Sequence, residues 1–221
     1  MSYLRNANER VPFSKTFYAN SDVYINKLGI RDLIILEETE RQLTQDRADE
    51  GFPVRAHHRT YAGLKATHRH LFQDLYRWAG RERNYTTGRG AVPFAVPAYI
   101  ASSMETQFNE LAREGYLVGN SKRDFAAAAE KYVNEIKACH PFIDGNGRTQ
   151  RFWLRMLANN AGFDLALVSQ DNKRWNEASR IGFVKQDHRP MARLIQSRLS
   201  SYEQTLHSLH NSRISEREDG G

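Results

Sequence analysis

The spacing of apolar residues along the chain predicts a mostly helical protein. In long segments, apolar side chains recur three and four positions apart, which is the pattern of helices that bury one face. Capping residues mark where each predicted helix begins, and glycine or proline residues mark where it ends. The predicted helices cover residues 31–49, 60–78, 98–114, 122–139, 148–161, 173–183 and 188–207. The expected fold class is all-α.

Residues 83–96 interrupt this pattern. A β-prone run at 85–87 is followed by the glycine-rich stretch 88–90 and then by a second short apolar run. This order predicts a short β-hairpin with a glycine-rich turn. Pro93 lacks a backbone N–H and cannot serve in a central strand, so the ribbon should keep an open edge. An open edge can pair with an extended segment of another protein.

Two of the predicted helices frame a segment rich in candidate chemistry. Ser121 and Asp124 form a capping-box-like start for helix 122–139. Gly162 suits the end of helix 148–161. Apolar residues continue at helical spacing on both sides of the segment: Phe125, Ala129, Tyr132, Val133 and Ile136 before it, and Phe152, Trp153, Met156 and Leu157 after it. The segment is therefore expected to be a loop between two packed helices.

That segment, residues 140–151, reads His-Pro-Phe-Ile-Asp-Gly-Asn-Gly-Arg-Thr-Gln-Arg. Gly145 and Gly147 allow a sharp turn that exposes backbone N–H groups, which can cradle phosphate oxygens. The start of the following helix favours the same anion. Arg148 and Arg151 lie three apart and share a helix face, so both guanidinium groups can grip phosphates. The residue types predict a phosphate-handling site.

The twelve residues resemble the signature of the Fic family, His-Pro-Phe-x-(Asp/Glu)-Gly-Asn-Gly-Arg-x-x-Arg, with every fixed position present. Enzymes of that family transfer a nucleotide monophosphate, usually AMP from ATP, to a hydroxyl side chain of a target protein. The resemblance implies these roles: His140 as the base, Asp144 as the Mg²⁺ ligand, Gly145, Asn146 and Gly147 as the phosphate-binding turn, Arg148 toward the β-phosphate, Arg151 at the γ-phosphate, and Phe142 as the inward anchor of the loop.

The chemistry agrees with these implied roles. Attack of a hydroxyl on the α-phosphorus needs a base whose pKa is near neutrality, and histidine is the usual choice. Fixed cations and a divalent ion stabilise the charge that develops on the leaving pyrophosphate. Because Mg²⁺ commonly takes only one or two carboxylates, Asp144 alone is sufficient. ATP and Mg²⁺ are the expected substrate and ion.

In the Fic family a hairpin at the place of residues 83–96, the flap, docks the target segment and presents its hydroxyl to the histidine. The hairpin here is similar, which implies that Tyr85, Thr86, Thr87 and Gly88 dock the target. The alternative is an ordinary surface hairpin.

Over residues 22–196 the chain looks like the compact Fic toxins of bacterial toxin–antitoxin modules, which adenylylate the type II topoisomerases DNA gyrase and topoisomerase IV. Fic enzymes are commonly inhibited by a helix carrying (Ser/Thr)-x-x-x-Glu-(Gly/Asn). The nearest match here, at 215–220, has Asp219 in place of the glutamate. A separate small antitoxin is therefore expected to supply the helix; self-inhibition by the tail is the alternative.

Three other functions stay open at this point. The chain could be a secreted Fic effector that modifies host proteins. It could be a kinase-like relative that transfers the γ-phosphate, although those relatives replace the second glycine of the turn with lysine and this chain keeps Gly147. It could also be a binding module without catalysis, which the intact His140 and Asp144 oppose.

The amino-acid composition limits the domain organisation and the binding partners that can be expected for this chain. With 221 residues, 40% of them hydrophobic, one substantial core is expected. We predict an N-terminal arm at 1–22, a Fic domain at 23–198, and a C-terminal helical extension with a charged tail at 199–221.

A net charge of +6 suggests nucleic acid as a possible class of partner. Acidic residues interrupt the basic ones, however, so no direct nucleic-acid binding is expected. Without a signal-peptide pattern or a spanning segment, a cytoplasmic protein with no membrane partner is expected.

Several residues invite a chemical role that the sequence does not favour. Cys139 precedes His140, but adjacent helical residues point in different directions, so a buried filler is expected. The histidines at 57, 58, 68 and 70 lack a recognised metal-ligand spacing and are expected to be surface or helix-packing residues. Trp175 is expected in the core, with the nucleoside pocket as its alternative place.

Overall fold

The structure is a computed structural model that describes residues 16–89, 92–168 and 170–201. Within these residues it contains seven α-helices and four short strands, which confirms a mostly helical fold with a small hairpin. In chain order the elements are α1 (Leu33–Asp49), α2 (Tyr61–Phe72), β1 (Gly88–Arg89), β2 (Val92–Pro93), α3 (Pro97–Arg113), a 3₁₀ turn (Gly115–Leu117), α4 (Lys122–Cys139), α5 (Asn146–Asn160), β3 (Phe163–Leu165), α6 (Asp171–Lys185), α7 (Arg189–Arg198) and β4 (Leu199–Ser201).

The helices begin and end close to the predicted positions where local capping is strong. Asp32 caps α1 by accepting from the Ile35 N–H at 3.0 Å. Ser121 accepts from the Asp124 N–H at 3.2 Å, so the predicted start of α4 is confirmed. Gly162, two residues after the end of α5, has a positive φ of 86°, as expected for a helix stop.

Two predicted helices were too long. The helix predicted over 60–78 ends at Phe72, yet Leu75 and Tyr76 remain 1% exposed. Burial thus continues at helical spacing while the backbone turns. The helix predicted over 188–207 ends at Arg198. Residues 199–201 form strand β4 because they pair in antiparallel register with β3. Strand β3 had not been predicted. Residues 202–207 lie outside the described part of the chain, as do the predicted tail motif at 215–220 and most of the predicted arm.

The described parts of residues 1–110 and 135–153 belong to one compact unit. In it α1 packs against α2. A bidentate pair between the Arg47 guanidinium and the Asp74 carboxylate, at 2.7 and 2.8 Å, ties α1 to the turn that follows α2. The β1–β2 ribbon places Gly88 opposite Pro93. This unit contains all of residues 140–151.

The described parts of residues 111–134 and 154–221 belong to a second compact unit. In it α6 packs against α7, and the Asp171 carboxylate accepts from the Arg198 guanidinium at 2.7 Å. Trp175 on α6 is 2% exposed, which confirms its predicted place in the core.

Cys139 is 5% exposed, and burial raises the pKa of its thiol to about 11. Because a protonated thiol is a poor nucleophile, the interpretation of Cys139 as a buried filler is confirmed. Among the described residues, no helix is both long enough and apolar enough to cross a lipid bilayer.

Candidate active site

The last turn of α4 delivers His140 to the loop. Its N–H still bonds to the Ile136 carbonyl at 2.9 Å, but its own φ is +46°, so the chain leaves the helix in a left-handed turn. The His140 side chain is 6% exposed. Its ring lies parallel to the Phe94 ring, with centroids 4.0 Å apart and planes 8° apart. The imidazole is therefore held in place by packing.

Asn146 closes the loop with its side chain. Its Oδ1 accepts from the Phe142 N–H at 3.0 Å, and its Nδ2 donates to the Phe142 carbonyl at 2.8 Å. The carboxamide therefore engages the loop's own backbone. Any contribution of Asn146 to a phosphate-binding turn would come from its main chain at the start of α5.

His68 supports the loop from beneath. Its Nδ1 accepts from the Gly80 N–H at 2.7 Å, so Nε2 carries the ring proton and donates to the Asp144 carbonyl at 3.0 Å. The Phe142 ring stacks on the His68 ring at 4.0 Å and is 1% exposed. Phe142 is therefore the inward anchor that the resemblance implied. His68, with none of its surface exposed, is confirmed as a packed helix residue.

The two glycines of the turn meet different surroundings. Gly145 has a φ of +73°, and a Cβ built there would lie 2.2 Å from Cζ of Phe72. A Cβ at Gly147 would meet only Nη1 of Arg151, at 3.5 Å. Gly145 is therefore required by backbone and packing, whereas the absent side chain at Gly147 leaves space on the arginine side of the loop.

The Asp144 carboxyl is in surroundings that disfavour its charge. Burial raises its pKa, and the nearby Glu40 carboxylate raises it further, while Arg148 acts in the opposite direction. Oδ1 accepts from the Gly145 N–H at 2.6 Å. A bound cation would relieve this unfavourable charge, so the donor set fits a divalent ion. Among the described residues no three His, Cys, Asp or Glu side chains gather as a metal cluster. Phosphate oxygens and water would therefore complete the coordination of such an ion.

The structure gives Arg148 two partners from other helices. Its guanidinium pairs with the Glu40 carboxylate of α1 and lies over the Phe72 ring, 4.6 Å from the centroid. The Tyr76 hydroxyl donates to the same carboxylate. Burial and the neighbouring Arg148 lower the pKa of Arg151 to about 10, which still leaves it cationic at neutral pH. Both arginines lie in the first two turns of α5.

The hairpin is shorter than predicted. Gly88 was expected in the turn but lies in β1, and residues 85–87 precede the strand. The Thr87 carbonyl accepts from the Phe94 N–H at 2.9 Å, which extends the pairing by one step. Thr86 is exposed, and Tyr85, Thr87 and Gly88 are half-buried. The four predicted docking residues therefore form one short partly exposed segment.

Sequence reasoning missed the residues that hold the site from outside the motif: Glu40, His68, Tyr76, Arg83 and Phe94. Contacts of four of them reach motif residues 46 to 108 positions away in the chain, whereas Tyr76 bonds Glu40. The only available signal was a polar residue on an otherwise apolar helix face, as at His68 on α2.

Comparisons with known proteins agree with this geometry. Residues 59–158 match the model of the Fic/DOC family. The probable protein adenylyltransferase y4lH of Sinorhizobium fredii is 39% identical over 162 residues, which cover 73% of this chain and 83% of the relative. The probable protein adenylyltransferase Fic of Escherichia coli is 34% identical over 168 residues, which cover 75% of this chain and 82% of the relative.

Solved structures share the fold. The Fic domain of a Bep effector from Bartonella quintana, determined with bound ADP, superposes with a TM-score of 0.76 at 26% identity and covers 86% of this chain and 97% of its own. The BepC protein of Bartonella tribocorum, determined with bound AMPPNP, has a TM-score of 0.76 at 23% identity and covers 84% and 96%. At that identity the second match shows the fold alone. Given the family model and two relatives more than 30% identical over most of their length, the chain belongs to the Fic/DOC family and is a protein adenylyltransferase.

Proposed function

We propose that the protein transfers AMP from ATP to a Ser, Thr or Tyr hydroxyl of a target protein, with His140 as the base. The observation behind this assignment is that the complete signature folds as a helix, a tight loop and a helix, with the imidazole fixed against Phe94. The ADP bound in the related Bartonella quintana structure supports an adenine nucleotide as the substrate.

In the proposed reaction, His140 accepts the proton of the target hydroxyl while its oxygen attacks the α-phosphorus. The new bond joins the hydroxyl oxygen to the α-phosphorus, and the bond to the β-phosphate oxygen breaks, so pyrophosphate leaves. Arg148 and Arg151 bind the departing phosphates and stabilise their charge. Mg²⁺, which Asp144 would hold, supplies further charge stabilisation when bound. The loop residues keep the imidazole and guanidinium groups at fixed positions.

The finer proposal concerns the target and its control. We propose that the protein is a toxin whose targets are the subunits of DNA gyrase and topoisomerase IV. A separate small antitoxin would place a glutamate against Arg151. The support is the resemblance to compact Fic toxins over residues 22–196 and the lack of a complete inhibitory motif in the chain. A carboxylate can pair with the Arg151 guanidinium and displace the γ-phosphate.

The test of the chemistry is incubation with α-labelled ATP, Mg²⁺ and purified gyrase and topoisomerase IV subunits, beside a bacterial lysate. We expect label on a topoisomerase subunit and an AMP adduct in its mass spectrum. The His140→Ala variant should bind ATP with unchanged affinity but transfer no label.

Other outcomes separate the alternatives. A single phosphate on the target would indicate the kinase-like reaction. Label on other proteins alone would reject topoisomerases and favour an effector with a different target. Transfer by His140→Ala at the wild-type rate would reject His140 as the base.

A further inference from the structure

We propose that Arg83 is a positioning residue that locks the target-docking flap to the backbone of the catalytic base, so that hydroxyl and imidazole are held in one frame. This inference rests on the proposed AMP transfer to a docked protein segment. It concerns a residue outside the motif, 57 positions before the histidine whose carbonyl it binds.

The two ends of the flap bind four consecutive carbonyl groups at the end of α4. Three of them accept from Arg83 and one accepts from the N–H of Ala95. The bonds are Ala95 N to Ala138 O at 3.1 Å, Arg83 Nη2 to Cys139 O at 3.0 Å, Arg83 Nε to His140 O at 2.7 Å, and Arg83 N to Pro141 O at 2.9 Å. The backbone on either side of His140 is therefore bonded to the flap.

The same guanidinium also binds the flap itself. Its Nη1 donates to the Tyr85 carbonyl at 2.6 Å, and its Nη2 donates to the Ala95 carbonyl at 2.5 Å. Arg83 is 2% exposed, so water does not compete for these bonds. One planar group therefore joins the first arm of the flap, its second arm and the loop that carries the base.

The site requires the chemistry of arginine. The end of α4 exposes carbonyl oxygens at the negative end of the helix dipole, and the left-handed φ of His140 stops the helix from satisfying them. A guanidinium has five N–H donors in a fixed plane and no acceptor. Lysine has a single ammonium on a flexible stem and cannot reach carbonyls on three sides at once.

The side chain of the base is attached to the same flap. Phe94, which follows β2, stacks on the His140 ring and donates its N–H to the Thr87 carbonyl. A target segment paired with the flap edge would therefore lie at a distance from the imidazole that Arg83 and Phe94 fix together. Such fixed orientation matters because a misplacement of about 1 Å can lower a rate by about 100-fold.

The experiment compares Arg83→Lys and Arg83→Gln with the matched control Arg81→Gln. Arg81 is two residues earlier and its side chain is exposed, so the control removes the same charge without touching the loop. We expect both Arg83 variants to lower kcat for the target at least about 10-fold and to raise the target KM, with the ATP KM within about twofold of wild type. Arg81→Gln should change none of these constants more than about twofold.

A second measurement does not depend on activity. Hydrogen exchange of the Ala95 amide should accelerate at least about 10-fold in Arg83→Gln and stay unchanged in Arg81→Gln, because this amide bonds the Ala138 carbonyl only while the flap is seated against the end of α4. Faster exchange at this amide with an unchanged ATP affinity supports the lock.

Two results would overturn the inference. One is that both Arg83 variants keep the wild-type kcat, target KM and rate of amide hydrogen exchange in the flap. The other is a parallel loss of kcat, ATP affinity and melting temperature in Arg83→Lys, which would indicate a general structural role. If the wild-type protein itself transfers no AMP, the proposed function fails, and the exchange measurement alone decides whether Arg83 locks the flap.

Discussion

Some side chains of the loop have the chemistry that phosphate transfer requires, whereas others hold the loop in its conformation. His140, Arg148 and Arg151 have the residue types that phosphate transfer requires, and the sequence identified them directly. Asn146 belongs to the same motif, but its carboxamide bonds the Phe142 backbone. A contiguous signature therefore mixes groups that face a ligand with groups that shape the loop, and only side-chain contacts distinguish the two.

The Asn146→Ala variant tests the supporting role. It removes the partners of a buried N–H and a buried carbonyl, each of which costs about 1–3 kcal/mol when left unsatisfied. We expect the free energy of unfolding to fall by roughly 2–4 kcal/mol in urea titration, with ATP binding weakened. Asn172→Ala, at an exposed position on α6, is the control and should change stability by less than about 0.5 kcal/mol. Equal stability of the two variants would contradict the role given to Asn146.

The buried His58 side chain makes the free energy of unfolding depend on pH. It is 8% exposed, and burial, helped by Arg59 and His57, lowers its pKa from 6.5 to about 4. Between pH 6.5 and about pH 4, the unfolded chain binds more protons at His58 than the folded chain does. The stability that neutral His58 contributes is therefore fully present above the unfolded pKa and is lost as the pH falls toward the folded pKa. From about pH 7.5 to about pH 5.5 the expected loss from His58 is about 1 kcal/mol.

Urea unfolding of wild type and His58→Gln at both pH values checks this expectation. Because the variant cannot titrate at this position, its stability should fall by about 1 kcal/mol less than that of wild type. An identical loss in both proteins would show that His58 is protonated to the same extent when folded and unfolded.

Among whole elements, the loop between α4 and α5 is set by close backbone approach. Gly145 faces Phe72 at a distance that excludes a Cβ, while Gly147 faces only the end of the flexible Arg151 side chain. The sequence marked both glycines as turn residues with equal weight. Their different requirements came from α2, which packs beneath only the first of them.

Gly145→Ala and Gly147→Ala should therefore fail in different ways. We expect Gly145→Ala to lower the free energy of unfolding by at least about 2 kcal/mol, because it combines an unfavourable positive φ with a clash. Gly147→Ala should unfold within about 0.5 kcal/mol of wild type but bind ATP more weakly, because the new methyl group occupies space beside Arg151. Thermal unfolding and ATP titration measure both effects. A stable Gly145→Ala would contradict the packing argument.

The helix predicted over 60–78 shows how tertiary contacts can end an element early. The helix predicted over 60–78 was extended to 78 because Leu75 and Ala79 keep helical spacing, and both are indeed buried. The backbone after Phe72 forms turns, in which the Gly80 N–H bonds to His68. Burial periodicity was predicted correctly there, but the bonding of the backbone was not, because a distant side chain supplied the partner.

At the scale of the whole molecule, the charged C-terminal tail of the sequence bears on the control of activity. The tail motif at 215–220 has an aspartate where an inhibitory glutamate would be, and its side chain is one methylene shorter. We therefore expect a chain that lacks residues 212–221 to automodify within about twofold of the full chain, measured with α-labelled ATP. Such a shortfall in reach weakens a bidentate pair with an arginine.

A large gain in automodification by the shortened chain would contradict a separate antitoxin and favour self-inhibition. The Asp219→Asn variant of the full chain is the matched control, since it removes only the carboxylate that would pair with Arg151. The same gain in this variant would assign the inhibition to that carboxylate.

The sequence by itself determined the helical class, most helix starts and the loop between two helices, and it predicted the chemistry of residues 140–151. These features depend on local backbone preferences and on neighbouring residue types, which a linear pattern contains. The tertiary structure decided that Glu40 would meet Arg148, that His68 would hold the Asp144 carbonyl and that Arg83 would hold the His140 carbonyl. Many polar residues are equivalent partners in a linear sequence, and only packing selects which of them lie within bonding distance.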